Sequence, residues 1–258
     1  MKKTFIFLVG MILMSCPAFA ALQHQAVEYS QDGVVMEGYV VYDDALTGKR
    51  PGVLVVHEWK GLNDYAKHRA DMLAELGYVA FAADIYGKGV RPQTNEEAGA
   101  EAGKYKKDRI LLRSRVNAAL TALKGNALVD DKQIAAIGYC FGGMTVLELA
   151  RSGAEVKGIV SFHGNLNTPD PKDAKNIKTK LLVLHGAADP FVPAAEVETF
   201  KKEMADAGVY YQFVAYPGAM HAFTNPDNKG EIPGALYNAE ADKQSWQAMK
   251  DFFADLFK

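Results

Sequence analysis

Three residues in this chain have the types and the order needed for thiol-based acyl transfer: Cys140, Asp189 and His221. Cys140 is the centre of Gly138-Tyr139-Cys140-Phe141-Gly142-Gly143, a G-x-C-x-G run in which a thiol takes the position of the serine in a nucleophile elbow. Only a thiolate attacks a carbonyl efficiently, so the cysteine needs a base within hydrogen-bond reach and an acid to orient that base. The chain presents them in the order nucleophile, acid, histidine. Asp189 falls in Gly186-Ala187-Ala188-Asp189-Pro190-Phe191-Val192-Pro193, and His221 falls in Pro217-Gly218-Ala219-Met220-His221-Ala222-Phe223. Placed where a strand turns into a helix, Cys140 would lie at a helix N-terminus, where aligned peptide dipoles favour a negative sulfur.

The elements around these residues must bring them together. Gln133 to Ile137 reads as a buried strand and Met144 to Arg151 as a helix, the strand-turn-helix context that a G-x-C-x-G run requires. Val27 to Tyr42, broken by Gln31-Asp32-Gly33, reads as a β-hairpin. Gly52 to His57 is an apolar, β-branched run typical of a strand covered on both faces. Helices are expected over Asn63 to Leu76, Lys104 to Lys124, Ala194 to Ala207 and Leu236 to Phe257. Further strands are expected over Tyr78 to Ala83, Val156 to Phe162, Lys180 to His185 and Tyr210 to Tyr216. Alternating strands and helices predict an α/β fold, a mostly parallel central sheet with helices on both faces. In such a sheet, functional groups collect at the carboxyl ends of the strands. Glu58, Asp84, Cys140, His163, Asp189 and His221 all follow expected strands, so all can reach one sheet edge.

Composition narrows the function. The chain has 258 residues, and Lys2-Lys3, the apolar run Phe5 to Met14 and Ala18-Phe19-Ala20 form the pattern of a secretory signal over residues 1–20. Leu13-Met14-Ser15-Cys16 loosely resembles a lipoprotein processing site, but Met14 and Pro17 fit it poorly and simple cleavage is the expectation. The protein is then exported, periplasmic or secreted, with residues 21–258 forming one domain and Cys140 as its one cysteine. Loss of Lys2 and Lys3 takes the formal net charge from −2 to −4, and basic residues do not cluster, which argues against nucleic acid or an anionic membrane as partner. There is no H-E-x-x-H, no paired C-x-x-C, no G-x-G-x-x-G and no G-x-x-x-x-G-K-[ST], so neither a metal nor an organic cofactor is expected.

Five segments, in order, make the chain resemble the dienelactone hydrolase family of α/β-hydrolases: His57-Glu58-Trp59 with Gly61-Leu62-Asn63, Ala83-Asp84-Ile85-Tyr86-Gly87, Gly138 to Gly143, Asp189 to Val192-Pro193, and Gly218 to Ala222-Phe223. The resemblance implies Cys140 as nucleophile, His221 as base and acid, Asp189 as its orienting group and Glu58 as a carboxylate that exchanges contacts with the thiol. The backbone N–H groups of Phe141 and Trp59 are placed to form an oxyanion hole, in which one donor is typically worth ~3 kcal/mol of transition-state stabilisation. Family members acting on dienelactone hold its carboxylate with arginines. Here Lys88 follows Tyr86-Gly87 and Thr224-Asn225 follows His221-Ala222-Phe223, and neither lysine nor asparagine reproduces a bidentate fork. Lys88, Arg91 reaching in from its loop, His163 and Asn225 are the candidate substrate contacts. The expected activity is hydrolysis of a small ester or lactone through a thioester acyl-enzyme. The alternative is a non-catalytic small-molecule binding protein that retains the hydrolase fold. A thiol redox role lacks a resolving cysteine.

Overall fold

The computed structural model describes residues 21–258; the expected signal segment and its cleavage site lie outside the described residues. A hairpin opens the fold, β1 Leu22–Gln31 and β2 Val34–Asp43, joined by Asp32 and Gly33 at φ 48° and 77°. Positive φ at both turn residues is what a two-residue hairpin with the natural strand twist demands, and Asp-Gly supplies it at little cost. Strands β3 Arg50–Val56, β4 Val79–Ala83, β5 Val129–Tyr139, β6 Gly158–Phe162, β7 Lys180–Gly186 and β8 Tyr211–Tyr216 complete a sheet of order β1-β2-β4-β3-β5-β6-β7-β8. The pairings from β4 across to β8 are parallel; those of β1 with β2 and of β2 with β4 are antiparallel.

Helices α1 Asp64–Glu75, α2 Asn95–Lys107, α3 Arg109–Lys124, α4 Phe141–Arg151, α5 Ala194–Ala207 and α6 Ala239–Leu256 cover both faces. The two-residue period of β3 divides its side chains between two buried clusters. Val53 and Val55 pack with Ala70 and Leu73 of α1 and with Met249 and Phe253 of α6. Leu54 and Val56 pack with Val116 and Leu120 of α3 and with Val146 of α4. Burial on both faces explains why the central strands read as continuous apolar runs.

One element differs from the sequence expectation. The helix expected over Lys104 to Lys124 is two helices that meet at Asp108, whose carboxylate accepts the Leu111 N–H at 2.9 Å and so caps the second. The first of them starts earlier, at a capping box in which Thr94 accepts the Glu97 N–H and the Glu97 carboxylate accepts the Thr94 N–H. Its interior glycines, Gly99 and Gly103, dilute the helical pattern. Among the described residues, no helix is long and apolar enough to cross a membrane.

Candidate active site

Cys140 ends β5 and opens α4 in a backbone conformation, φ 54° and ψ −113°, that L-residues rarely hold. Such a residue stores on the order of 1–3 kcal/mol of strain and persists only where its surroundings fix it. The surroundings here are tight: a Cβ on Gly138 would overlap the Gly142 carbonyl, and one on Gly142 would overlap the Val56 carbonyl of β3. Both glycines are therefore required by the approach of α4 to the sheet edge. The strained residue projects its sulfur into a cavity of about 690 Å³ that Glu58, Trp59 and His221 also line.

Two loops deliver the partners. The Asp189 loop and the His221 loop are tied by a hydrogen bond from the Ala188 N–H to the Ala219 carbonyl, and the His221 backbone is bonded to Gly234 and Leu236 at 3.0 Å each. Asp189 Oδ2 lies 2.8 Å from His221 Nδ1, while its Oδ1 accepts the Phe191 N–H at 2.8 Å. His221 Nε2 lies 3.0 Å from Cys140 Sγ. The structure thus brings these three residues into one continuous line, with Asp189 and His221 buried and Cys140 partly exposed. Burial alone would drive the His221 imidazolium to lose its proton, but the facing Cys140 sulfur and the Asp189 carboxylate outweigh it and push the pKa up to about 10.

Glu58 is buried beside this line, and its Oε2 accepts the Asn225 side-chain N–H at 2.6 Å. Burial pushes its carboxyl pKa up, against the pull of Asn225 and His221. The Glu58 carbonyl is held at 2.6 Å by His57 Nδ1, whose other nitrogen accepts the Ile85 N–H at 3.2 Å. Trp59 follows in the same turn, and Phe141 is the first residue of α4. Neither of their N–H groups has a protein acceptor among the described residues. A first-turn helical N–H has no partner within its own helix, which is what leaves the Phe141 donor free. Among the described residues, no group of three or more His, Cys, Asp or Glu side chains is placed to hold a metal ion.

The four expected substrate contacts divide differently. Lys88 is turned away from the cavity: Gly87, at φ 135°, bends the chain, the Lys88 N–H bonds to the Val35 carbonyl, and the exposed side chain pairs with Glu28 and Glu37 of the hairpin. Arg91 is spent inside its own loop, 2.7 Å from the Val90 carbonyl and 3.4 Å from Asp84, and does not line the cavity. Asp84 itself accepts the N–H groups of Tyr86 and Gly87, a loop-holding role. His163 is buried behind Cys140 rather than in the cavity wall. Asn225 does line the cavity, but its amide is engaged by Glu58. Sequence reasoning missed the charged groups that do reach the wall: Lys60, Lys106, Asp227 and Glu231. The expected helix from Lys104 already carried Lys106, and the capping box at Thr94 could have signalled that this helix starts earlier.

A profile of the dienelactone hydrolase family matches residues 36–257. The chain belongs to the dienelactone hydrolase family. It is a hydrolase with the α/β-hydrolase fold. One member similar to it, a Methylorubrum extorquens protein provisionally named a carboxymethylenebutenolidase, is 30% identical over 86% of this chain and 77% of the relative. A protein of Aquifex aeolicus with the same provisional name is 30% identical over 91% of this chain and 99% of its own. Among solved structures, a dienelactone hydrolase-like promiscuous phosphotriesterase from metagenomic libraries is 40% identical, with a TM-score of 0.89 over 92% of this chain and 100% of the other. The dienelactone hydrolase of Anabaena variabilis, 22% identical over 92% of this chain and 99% of its own, shares the fold with a TM-score of 0.66.

Proposed function

We propose that this dienelactone hydrolase family member cleaves a small carboxylic ester or lactone through Cys140, His221 and Asp189, by way of a thioester on Cys140. The observation that carries the reading is the unbroken line from Asp189 through His221 to a cavity-facing sulfur, with spacings of 2.8 and 3.0 Å. His221 takes the thiol proton and holds it as an imidazolium steadied by Asp189. The sulfur adds to the substrate carbonyl, and the resulting oxyanion is met by the Trp59 and Phe141 N–H groups. Collapse breaks the C–O bond, and the His221 Nε2 proton passes to the leaving alkoxide. A water molecule then gives a proton to His221 and its hydroxyl to the thioester carbon, and the C–S bond breaks to release the acid and return the Cys140 sulfur to its place beside the protonated His221. Glu58, held by Asn225, is the carboxyl group beside the nucleophile that exchanges contacts with it during the cycle.

The substrate is a small, uncharged or weakly polar ester. Lys60 and Lys106 on the wall are offset by Asp227 and Glu231, and among the described residues no arginine fork lines the cavity to select a carboxylate. Residues 1–20 carry the protein out of the cytoplasm. The test is a panel of neutral and anionic aryl esters and lactones with the wild type and Cys140→Ala. Turnover of the neutral esters that vanishes in the variant supports the reading. Full turnover by the variant overturns it, and binding without turnover would favour the non-catalytic alternative. A second reading is supported by the 40% identical phosphotriesterase: the same sulfur and N–H donors suit attack at phosphorus, tested by adding an aryl dialkyl phosphate to the panel.

A further inference from the structure

Behind the nucleophile lies a buried histidine that the reaction scheme leaves unused. His163 follows β6 at φ 41°, a left-handed conformation in a non-glycine residue. Its Nδ1 lies 3.1 Å from the Cys140 N–H, which is shared with the Phe162 carbonyl at 3.0 Å. Its Nε2 lies 2.7 Å from Thr224 Oγ1, three residues along the loop from His221. A backbone N–H can only donate, so Nδ1 is the lone-pair nitrogen and the ring proton sits on Nε2, donating to Thr224.

We infer that His163 is a positioning residue, a rigid bar whose one end holds the backbone of Cys140 and whose other end holds the His221 loop, so that it sets the distance between the sulfur and the imidazole. The inference rests on the cysteine-histidine reading above. Three observations support a bar rather than a spacer. The ring packs edge to face on His221 and on Phe223, with centroids 5.3 and 5.1 Å apart. Its far end is anchored: Thr224 Oγ1 is 2.6 Å from Tyr65 Oη, and Arg69 donates to the Thr224 carbonyl at 2.6 Å while its guanidinium pairs with Asp242. The near end cannot drift, because a Cβ on the next residue, Gly164, would stand only 2.6 Å from the Gly143 backbone at the start of α4. Burial, helped by the neighbouring His221 and Arg69 charges, keeps the ring neutral, as its acceptor role requires. A barrier set by near-attack geometry is sensitive to shifts well under 1 Å.

The experiment compares wild type with Cys140→Ala, His163→Asn, Thr224→Val and Thr224→Ser. Asparagine tolerates positive φ and can still accept the Cys140 N–H, but it does not reach Thr224. Valine removes the hydroxyl at nearly the same volume. Three quantities are measured for each: kcat and KM on a neutral aryl ester, the rate of Cys140 alkylation by iodoacetamide across pH, and the thermal midpoint. His163→Asn and Thr224→Val are expected to lower kcat by about 10- to 100-fold with KM within roughly twofold, and to displace the alkylation profile, while Thr224→Ser restores both. Wild-type kcat and an unmoved alkylation profile in both variants would overturn the inference. If His163→Asn does not fold, Thr224→Val decides. Full turnover by Cys140→Ala would refute the thiol reading instead, and the alkylation profile would still judge the role of His163 on its own.

Discussion

The Asp189 carboxylate supports the His221 imidazolium by an amount that the geometry allows to be stated. The two groups are 2.8 Å apart and both nearly buried. At an effective dielectric of about 20, opposite charges about 4 Å apart attract by about 4 kcal/mol, which equals about 3 pKa units at ~1.36 kcal/mol per unit. The pKa of His221 is raised above the usual histidine range, so its proton is held through neutral pH and lost as pH rises through about 10. Asp189→Asn removes the charge and keeps the volume, and the amide oxygen of the substituted side chain can still accept the Phe191 N–H. The facing Cys140 sulfur remains and keeps part of the support, so the variant is expected to lower the His221 pKa and to move the alkaline limb of kcat/KM, which reports loss of the proton destined for the leaving alkoxide, to lower pH by up to about 3 units. The assay is the pH-rate profile on a neutral aryl ester, with Cys140→Ala as the background at high pH. An alkaline limb within half a unit of wild type would show that the carboxylate does not support the imidazolium and would refute the reasoning.

Further outcomes follow from the same geometry. Gly142→Ala places a methyl group against the Val56 carbonyl and is expected to cost ~3 kcal/mol or more, seen as a fall of roughly 6–12 °C in the thermal midpoint; an unchanged midpoint would contradict the tight elbow. Lys88→Ala is expected to leave kcat and KM unchanged and to move the thermal midpoint little, because its exposed pairs with Glu28 and Glu37 are well solvated. A raised KM for an anionic ester in that variant would return Lys88 to the substrate site. Lys106→Ala, by contrast, is expected to raise KM for an anionic ester several-fold, roughly, while leaving a neutral ester unaffected, and equal effects on both would contradict its place on the wall.

Much of this was readable from residue order. Glycines two residues either side of Cys140 fix an elbow because no side chain fits there, and apolar runs such as Val53 to Val56 announce strands covered on both faces. Strand ends predicted which sheet edge would gather Glu58, Cys140, Asp189 and His221, since parallel strands share a direction. A strand end does not predict which way the following loop turns. Lys88 and Arg91 come after β4 in a position that suits a substrate contact, yet Gly87 bends the chain toward the hairpin, where Glu28 and Glu37 wait. His163 shows the same limit at shorter range: its place after β6 was legible, but a positive φ swings the ring behind Cys140 instead of into the cavity. The first part of helix α2 was hidden because glycines and lysines dilute its apolar stripe; Lys106 fell inside the helix expected over Lys104 to Lys124, but helical spacing does not show that it reaches the cavity.

The most direct measurement is the intact mass of the protein quenched early in turnover of an aryl ester. The account predicts a species heavier by one acyl group, mapped by fragmentation to Cys140, discharged by hydroxylamine and missing from Cys140→Ala. Steady turnover with no such adduct at any quench time, in a protein whose Cys140→Ala variant stays active, would contradict it.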